Sequence, residues 1–202
     1  MTRLDANLMA ESVEPHDRRI KLPARRRHEP PRLDTHRALP DLGRSWAEVQ
    51  PALRAVLRRL AQGEARWPLY LHGEVGTGKT RAVLAFCDTI QFGRFWTVEG
   101  LKDLMIARKA PWDWGVSPYL AALDELGAHV AKDFEYDAVK KFADWREDQP
   151  TIYVSNQPPR KMIDLYDRRI ASRLTCGTMF ELVDRDRRQA IEQAADANGG
   201  EV

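Results

Sequence analysis

The sequence has little cysteine and no long apolar run. Its two cysteines, Cys87 and Cys176, stand alone without a C-x-x-C pair, which argues against a zinc knuckle or a disulfide framework. No apolar run approaches the roughly 18 residues of a membrane-spanning helix. The N-terminal residues also lack the continuous apolar stretch of a secretory signal. These absences predict a cytoplasmic protein that has no membrane partner.

Positively and negatively charged side chains are nearly equal in number, but they are unevenly distributed along the chain. Residues 1–40 contain nine Lys/Arg against six Asp/Glu, whereas residues 41–202 contain 23 against 24. The first segment also holds five prolines and few large apolar side chains, so little burial would offset the entropy lost on ordering. We therefore expect residues 1–40 to form a flexible basic arm. Such an arm is either simply solvated or docks on a partner protein or a nucleic-acid backbone.

Residues 41–202 alternate between segments with the apolar pattern of a strand and segments with the apolar pattern of a helix. The chain has 202 residues, 43% of them hydrophobic, which is enough for one α/β domain, expected over residues 41–196 with a disordered tail at 197–202. Strands are predicted at residues 68–72, 93–98, 119–123, 151–155 and 178–182. Helices are predicted at residues 45–62, 81–90, 99–109, 136–146, 162–173 and 186–195. This alternation predicts an α/β fold with a five-stranded, mainly parallel sheet between helices.

One glycine-rich stretch carries the most chemical information. Residues 73–80 read Gly-Glu-Val-Gly-Thr-Gly-Lys-Thr, a G-x-x-x-x-G-K-T pattern between a predicted strand and a predicted helix. Glycines let the backbone N–H groups wrap a phosphate chain, and the helix N-terminus favours the anion. A glycine-rich turn without a ligand is the alternative, which this context disfavours. The predicted ATP contacts are Gly73, Glu74, Val75, Gly76, Thr77, Gly78, Lys79, Thr80 and Arg81.

Two further strand ends carry polar groups. Asp124 would complete the Mg²⁺ site begun by Thr80, and Glu125 can deprotonate an attacking water. Asn156 follows the next predicted strand, where its amide can help to hold that water. Each has a structural alternative, because Asp-Glu is common at helix starts and asparagine is common in turns. Together they predict ATP hydrolysis rather than phosphoryl transfer to a second substrate.

Residues 167–174 form a dense arginine segment, Asp-Arg-Arg-Ile-Ala-Ser-Arg-Leu. Ile170 and Leu174 are four residues apart and are expected to share a buried helix face. Arg169 and Arg173 share a neighbouring stripe. That stripe is either a solvated surface or a source of guanidinium groups for the nucleotide of a neighbouring subunit.

These features occur together and in order. The segments are residues 72–80 (His-Gly-Glu-Val-Gly-Thr-Gly-Lys-Thr), 123–127 (Leu-Asp-Glu-Leu-Gly), 151–156 (Thr-Ile-Tyr-Val-Ser-Asn) and 166–174 (Tyr-Asp-Arg-Arg-Ile-Ala-Ser-Arg-Leu). Over about residues 45–190 the chain thereby resembles the AAA+ ATPases of the DnaC/IstB-like group. The resemblance implies an AAA+ fold without a separate lid domain.

The resemblance also implies roles for individual residues. Asp124 and Glu125 match Walker B, and Asn156 matches sensor 1. The residues that match Walker A are Gly73, Gly76, Gly78, Lys79 and Thr80. Arg173 matches the arginine finger that acts in trans. Arg188 matches the sensor 2 arginine, with Arg187 or Arg185 as alternative matches.

For function, the resemblance implies ATP hydrolysis coupled to assembly on single-stranded DNA in a ring or helical oligomer. The implied partner is a replicative hexameric helicase, which the protein would open or deliver. Loaders of this group commonly carry an N-terminal domain that grips the helicase. In this sequence about 40 arm residues precede the ATPase segment, which leaves partner binding open or assigns it to this arm. A transposition helper ATPase is the close alternative, and a small-metabolite kinase or a nucleotide-gated scaffold are more distant ones.

The stretch between the second and third predicted strands combines tryptophan with basic residues. Aromatic rings can stack on bases while cations follow phosphates. Core packing is the alternative and is favoured for Trp96. The predicted DNA contacts are Lys102, Arg108, Lys109, Trp112 and Trp114. Contacts to the adenine base are expected in the linker near residues 42–46.

Overall fold

A computed structural model of the chain describes residues 46–90, 93–128 and 133–183. The predicted N-terminal arm, the predicted helix at 186–195 and the sensor 2 candidate Arg188 lie outside these ranges. The described part contains five strands, β1 to β5: Leu69–His72, Gly93–Thr97, Leu120–Leu126, Thr151–Ser155 and Thr178–Glu181. It contains six α-helices, α1 to α6: Pro51–Ala61, Lys79–Thr89, Val98–Ile106, Asp133–Trp145, Met162–Leu165 and Arg168–Thr175.

The strands form one sheet in the order β2-β3-β4-β1-β5, and every neighbouring pair is parallel. The predicted α/β fold with a five-stranded sheet is therefore confirmed. Parallel strands bring their carboxyl ends to one edge of the sheet, here called the carboxyl edge, and their starts to the opposite amino edge. The residues that follow β1, β3 and β4 thus meet at the carboxyl edge.

Both faces of the sheet are covered by helices. Strand β1 shows the alternation expected of a buried strand, because Leu69 and Leu71 pack on one face and Tyr70 on the other. Helices α1 and α2 cover the first face, with Leu53 and Leu57 fully buried. Helices α3, α4 and α6 cover the second face. The sheet is thus the rigid middle layer that holds the strand-end residues in place.

The first predicted helix begins later than the sequence pattern indicated. Trp46–Glu48 forms a short 3-10 turn, and α1 starts only at Pro51. Proline is well suited to the first helical position because it has no N–H to leave unbonded there. Ser45, the first residue of the predicted helix, lies outside the described ranges.

The helix predicted over residues 162–173 is wrong as a single element. It is divided into α5 and α6 by Tyr166 and Asp167, whose backbones are not helical. The Asp167 carboxylate accepts a hydrogen bond from the Ile170 N–H at 2.7 Å and so caps α6. An aspartate that can cap a new helix competes with continuation of the old one. The predicted buried face is correct, since Ile170 and Leu174 are both buried.

No helix in the described ranges is both long and apolar enough to cross a membrane. The longest of them, α4, has 13 residues, against the roughly 20 that a bilayer crossing needs.

Candidate active site

The glycine-rich loop connects β1 to α2 and surrounds the N-terminus of that helix. Gly73 has a φ of 149°, and a Cβ atom there would lie 2.3 Å from the backbone oxygen of Leu182. Gly78 has a φ of 91° and directly precedes α2. Both positions therefore require glycine. The loop closes around the start of α2, where backbone N–H groups are available to an anion.

Lys79 is buried inside this loop, with only 6% of its surface exposed. Its ammonium donates to the backbone oxygens of Gly73 at 2.8 Å and Glu74 at 2.6 Å, and to Thr77 Oγ1 at 3.5 Å. Burial lowers the pKa of Lys79, and the nearby Asp124 carboxylate opposes that shift. Phosphate oxygens are stronger, charge-assisted acceptors than these neutral oxygens. The lysine is thus held where a phosphate chain would meet it.

Thr80 and Asp124 are joined directly. The Thr80 hydroxyl donates to Asp124 Oδ2 at 2.5 Å, and Asp124 Oδ1 accepts from the Glu125 N–H at 2.6 Å. Burial raises the pKa of Asp124, while these hydrogen bonds and Lys79 lower it. One hydroxyl and one carboxylate suit Mg²⁺ that also takes phosphate oxygens and water. Among the described residues no cluster of three or more His, Cys, Asp or Glu could hold a metal by itself.

Glu125 occupies a distortion inside β3. Strand pairing with β4 runs through Leu123 and Tyr153 and resumes at Leu126 and Ser155, so β3 carries one extra residue. Glu125 lies at this bulge with a φ of 65°, a backbone conformation rare for residues other than glycine. Bulges of this kind redirect a side chain and are frequent beside active sites. Here the bulge leaves Glu125 exposed beside the buried Asp124.

Asn156 comes directly after Ser155, the last residue of β4. Ser155 is level with His72 of β1 on one side and Leu126 of β3 on the other. The exposed Asn156 therefore lies between the start of the glycine-rich loop and the β3 bulge. The fold thus brings four sequence-predicted groups to the carboxyl edge, namely Lys79, Thr80, Asp124 with Glu125, and Asn156.

Arg173 lies at the other edge of the sheet. It is in the last turn of α6, and its guanidinium forms ion pairs with Asp144 and, at 3.5 Å, with Glu147. It also lines a cavity of about 250 Å³ at the amino edge, together with residues that precede β1 and β4. The structure does not bring Arg173 to the glycine-rich loop of its own chain.

The predicted DNA segment is packed within the protein to different degrees. Trp112 and Trp114 are half-buried, and their rings contact those of Trp145 and Trp96 respectively. Lys102 pairs with Glu99 at 3.9 Å. Arg108 and Lys109 are exposed. Contact of this segment with DNA stays a prediction.

A cleft adjoins the glycine-rich loop on the side of the N-terminal linker. Residues 48–50 and the start of α2 line it, and Glu48 pairs with Arg81 at 2.9 Å across it. The sequence placed base contacts near residues 42–46, of which only Trp46 is described.

The sequence patterns assigned no role to Tyr166, although it is the first residue of the segment 166–174 that supports the family resemblance. Its hydroxyl accepts a hydrogen bond from the Gly127 N–H at 3.2 Å, two residues after Glu125. The only signal in the sequence was its position before the capping Asp167.

Solved structures of replication proteins have a similar fold. The DnaC helicase loader covers 70% of this chain and 98% of its own at 15% identity, with a TM-score of 0.56. DnaI covers 71% and 90% at 22% identity, with a TM-score of 0.53. A replication initiator DnaA bound to AMPPCP and single-stranded DNA covers 80% and 57% at 17% identity, with a TM-score of 0.59.

Sequence comparison adds no relative, because no family model and no curated protein matches the chain. The chain spans 52 to 57% of the length of three replication-initiation structures that it matches. At identities this low the likeness describes the fold. The DnaC helicase loader and DnaI share that fold, which agrees with the fold expected from the DnaC/IstB-like resemblance.

Proposed function

We propose that this chain binds ATP with Mg²⁺ and hydrolyses it while acting as a helicase loader. In this role it assembles on single-stranded DNA and delivers or opens a replicative hexameric helicase. The observation that carries the ATPase part is the 2.5 Å hydrogen bond between Thr80 and Asp124. It joins the glycine-rich loop to the strand end that bears Glu125, so the phosphate-binding and hydrolytic groups form one site.

The proposed mechanism begins with the triphosphate in the loop between Gly73 and Thr80. Lys79 binds the β- and γ-phosphate oxygens. Thr80 and Asp124 would hold Mg²⁺, which would supply positive charge beside the phosphate oxygens. Glu125 accepts a proton from a water whose oxygen attacks the γ-phosphorus. The bond from that phosphorus to the ADP oxygen breaks, giving ADP and phosphate. Asn156 holds the water on the side away from ADP.

The cleft at residues 48–50 is proposed to receive the adenine base. It is lined by Thr77 and Gly78 of the phosphate loop and by the buried apolar residues Val49 and Ala82. Its volume is about 10 Å³, so the linker has to move away from α2 to admit a base. The Glu48–Arg81 ion pair keeps this side of the linker close to α2. These features support base contacts slightly later in the chain than the sequence indicated.

Arg173 is proposed to complete the site of a neighbouring subunit. It lies at the amino edge while the phosphate loop lies at the carboxyl edge, so head-to-tail stacking would bring one edge against the other. A guanidinium that arrives in this way stabilises negative charge in the transition state. The resulting assembly is a ring or a helical oligomer, because a head-to-tail contact repeats.

The helicase-loading part is supported by the likeness to the DnaC helicase loader and DnaI. Binding to single-stranded DNA is supported by the likeness to a DnaA whose structure contains single-stranded DNA. The exposed Arg108 and Lys109 are proposed phosphate contacts on this chain. A transposition helper would share the ATPase site, and capture of a transposase instead of a hexameric helicase would favour it.

The decisive experiment measures ATP turnover against protein concentration, with and without single-stranded DNA. We expect the rate per subunit to rise with concentration and to rise further with DNA. The control is Lys79→Ala, which should lose ATP binding, whereas Lys161→Ala at an exposed site should retain it. Normal ATP affinity in Lys79→Ala would overturn the nucleotide site. Turnover that ignored DNA and required a small acceptor would indicate a kinase instead.

A further inference from the structure

The backbone at Glu125 needs support from its surroundings. A φ of 65° is unfavourable for a glutamate, and such conformations persist only where neighbouring contacts fix them. The proposed mechanism requires the Glu125 carboxylate to be held toward one water. Whatever fixes this bulge therefore also aims the catalytic base.

Hydrogen bonds fix three consecutive residues of the bulge. The Glu125 N–H donates to Asp124 Oδ1 at 2.6 Å, and the Leu126 oxygen accepts from the Ser155 hydroxyl at 2.6 Å. The Gly127 N–H donates to the Tyr166 hydroxyl at 3.2 Å. The first two contacts come from the two strands of the bulge itself. The third comes from the break between α5 and α6, 39 residues along the chain.

Tyr166 and Glu125 also share a small cavity. Its volume is about 70 Å³, and Glu99 and Glu135 complete its polar lining. This is room for about two waters. Burial raises the pKa of Tyr166 to about 12, so its hydroxyl keeps its proton at neutral pH. Tyr166 can therefore accept from Gly127 and still donate toward the cavity.

The turn at Gly127 is packed closely against α5. A Cβ atom on Gly127 would lie 2.7 Å from a methyl carbon of Leu165, the residue before Tyr166. The tyrosine ring is thus brought to the bulge by the same chain segment that covers Gly127. This packing places the hydroxyl by more than a single hydrogen bond.

We propose that Tyr166 is a positioning residue for Glu125. Its hydroxyl holds the Gly127 N–H and thereby fixes the bulge that directs the Glu125 carboxylate at the attacking water. This inference rests on the proposed ATPase function. It adds a residue that neither the strand-end pattern nor the family resemblance assigned to the site.

The test compares two substitutions that each remove one phenol hydroxyl. Tyr166→Phe loses the contact with Gly127, whereas Tyr136→Phe loses a hydrogen bond to Asp167 in the same region. We expect Tyr166→Phe to lower kcat roughly tenfold with unchanged KM and unchanged affinity for a non-hydrolysable ATP analogue. Tyr136→Phe should stay within about twofold of the parent. An equal loss in both variants would overturn the proposal.

Amide exchange provides a readout that is independent of turnover. Exchange of the Gly127 amide, followed by NMR, should accelerate in Tyr166→Phe and not in Tyr136→Phe. Unchanged exchange in Tyr166→Phe would overturn the positioning role even if turnover fell. Thermal unfolding of each variant identifies any loss that comes from misfolding.

A double substitution separates failure of this inference from failure of the ATPase function. In a Glu125→Gln background, Tyr166→Phe should cause no further loss, because the aimed carboxylate is already gone. A further tenfold loss would mean that Tyr166 acts without Glu125. If Glu125→Gln is slow and Tyr166→Phe is as fast as the parent, only the positioning role fails. If Glu125→Gln and the parent are equally fast, the proposed hydrolytic site fails and the positioning role fails with it.

Discussion

The two edges of the sheet satisfy their polar groups in opposite ways. At the carboxyl edge, the buried Lys79 makes three hydrogen bonds, the buried Asp124 makes two, and Glu125 has a strained backbone. At the amino edge, the equally buried Arg146 makes six hydrogen bonds. The carboxyl edge therefore has buried groups that a bound ligand would stabilise. At the amino edge, the protein itself supplies the hydrogen-bond acceptors of the buried charge.

Arg146 shows what a satisfied buried charge requires. Arg146 lies directly after α4, and its guanidinium donates to oxygens of the segment just before β3 and of the segment that leads into β4. The acceptors are Ser117, Pro118, Tyr119, Gln149, Pro150 and Thr151. Burial lowers the pKa of Arg146 to about 10, so it remains charged at neutral pH. It connects three segments of the amino edge through one side chain.

The largest expected effect tests whether the two edges meet between subunits. Arg173→Ala should lower turnover by roughly 10³-fold while ATP affinity is retained, because the lost guanidinium stabilises only the transition state. Mixing it with Glu125→Gln protein should restore activity, since some interfaces then combine an intact Glu125 with an intact Arg173. Turnover of the mixture is the measurement. Arg169→Ala is the matched control, because Arg169 lies on the same helix stripe and is exposed.

Absence of rescue in the mixture would contradict an arginine that acts in trans. An equal loss in Arg169→Ala would indicate a general charge effect of α6 instead. In either case the two edges would be functionally separate, and the amino edge would be structural only.

The second prediction concerns the stability of the amino edge. Arg146→Met should lower the free energy of unfolding by about 3–5 kcal/mol, because several buried oxygens lose their donor. Arg146→Lys keeps the charge but not the planar fork and should lose less. Urea unfolding measures both, with the exposed Arg160→Met as control. Turnover per folded molecule should not change, and a selective loss of turnover would join Arg146 to the active site.

Much of the carboxyl edge could be predicted because its candidate site consists of short local sequence patterns. Residues 73–80 follow the apolar strand β1, Asp124 and Glu125 lie near the end of β3, and Asn156 follows β4, and parallel strands bring those ends together. The positions of Lys79 and Thr80 at the start of α2, and of Asp124 and Asn156 at strand ends, could be predicted from these patterns. The φ of Glu125 did not, since no glycine marks the bulge.

The amino edge could not be predicted because its contacts join distant parts of the chain. Arg146 at the end of α4 has the sequence pattern of any solvated arginine, and its acceptors lie as far as 29 residues away. The α5–α6 break at Tyr166 was missed for the same reason. There, a capping aspartate and a long-range hydrogen bond to Gly127 outweigh helical periodicity.

The third prediction tests the cost of the buried Asp124 carboxylate. The pKa of Asp124 is higher in the folded protein than in the unfolded chain, so folding favours the protonated carboxyl. The stability that this protonation contributes is fully present below the ordinary pKa of aspartate and is lost as the pH rises through the folded pKa. Without nucleotide and Mg²⁺, Asp124→Asn should therefore stabilise the protein at neutral pH by about 1–2 kcal/mol. The Asn amide can still bond both Thr80 and the Glu125 N–H.

Thermal unfolding from pH 7 down to about pH 4, near the ordinary pKa of aspartate, is the measurement. The advantage of Asp124→Asn should shrink as the pH falls, because the parent then binds its own proton. A constant advantage at all pH values, or a less stable variant at neutral pH, would contradict a strained carboxylate. Mg²⁺-dependent turnover should be lost in the variant throughout.

The smallest expected effect concerns the backbone of Glu125. Glycine relieves the left-handed conformation, worth about 1–2 kcal/mol, but has more unfolded-state entropy to lose, worth about 0.5–1 kcal/mol. Glu125→Gly should therefore be more stable than Glu125→Gln by about 0.5–1 kcal/mol, although both lack the catalytic base. Comparison with Gln isolates the backbone, because both variants remove the carboxylate. Urea unfolding of the two proteins without nucleotide decides the matter. If the Gly variant were less stable, the Gln side chain would contribute more to the free energy of unfolding than the backbone strain costs. The backbone at residue 125 would then not be held in a strained conformation for catalysis.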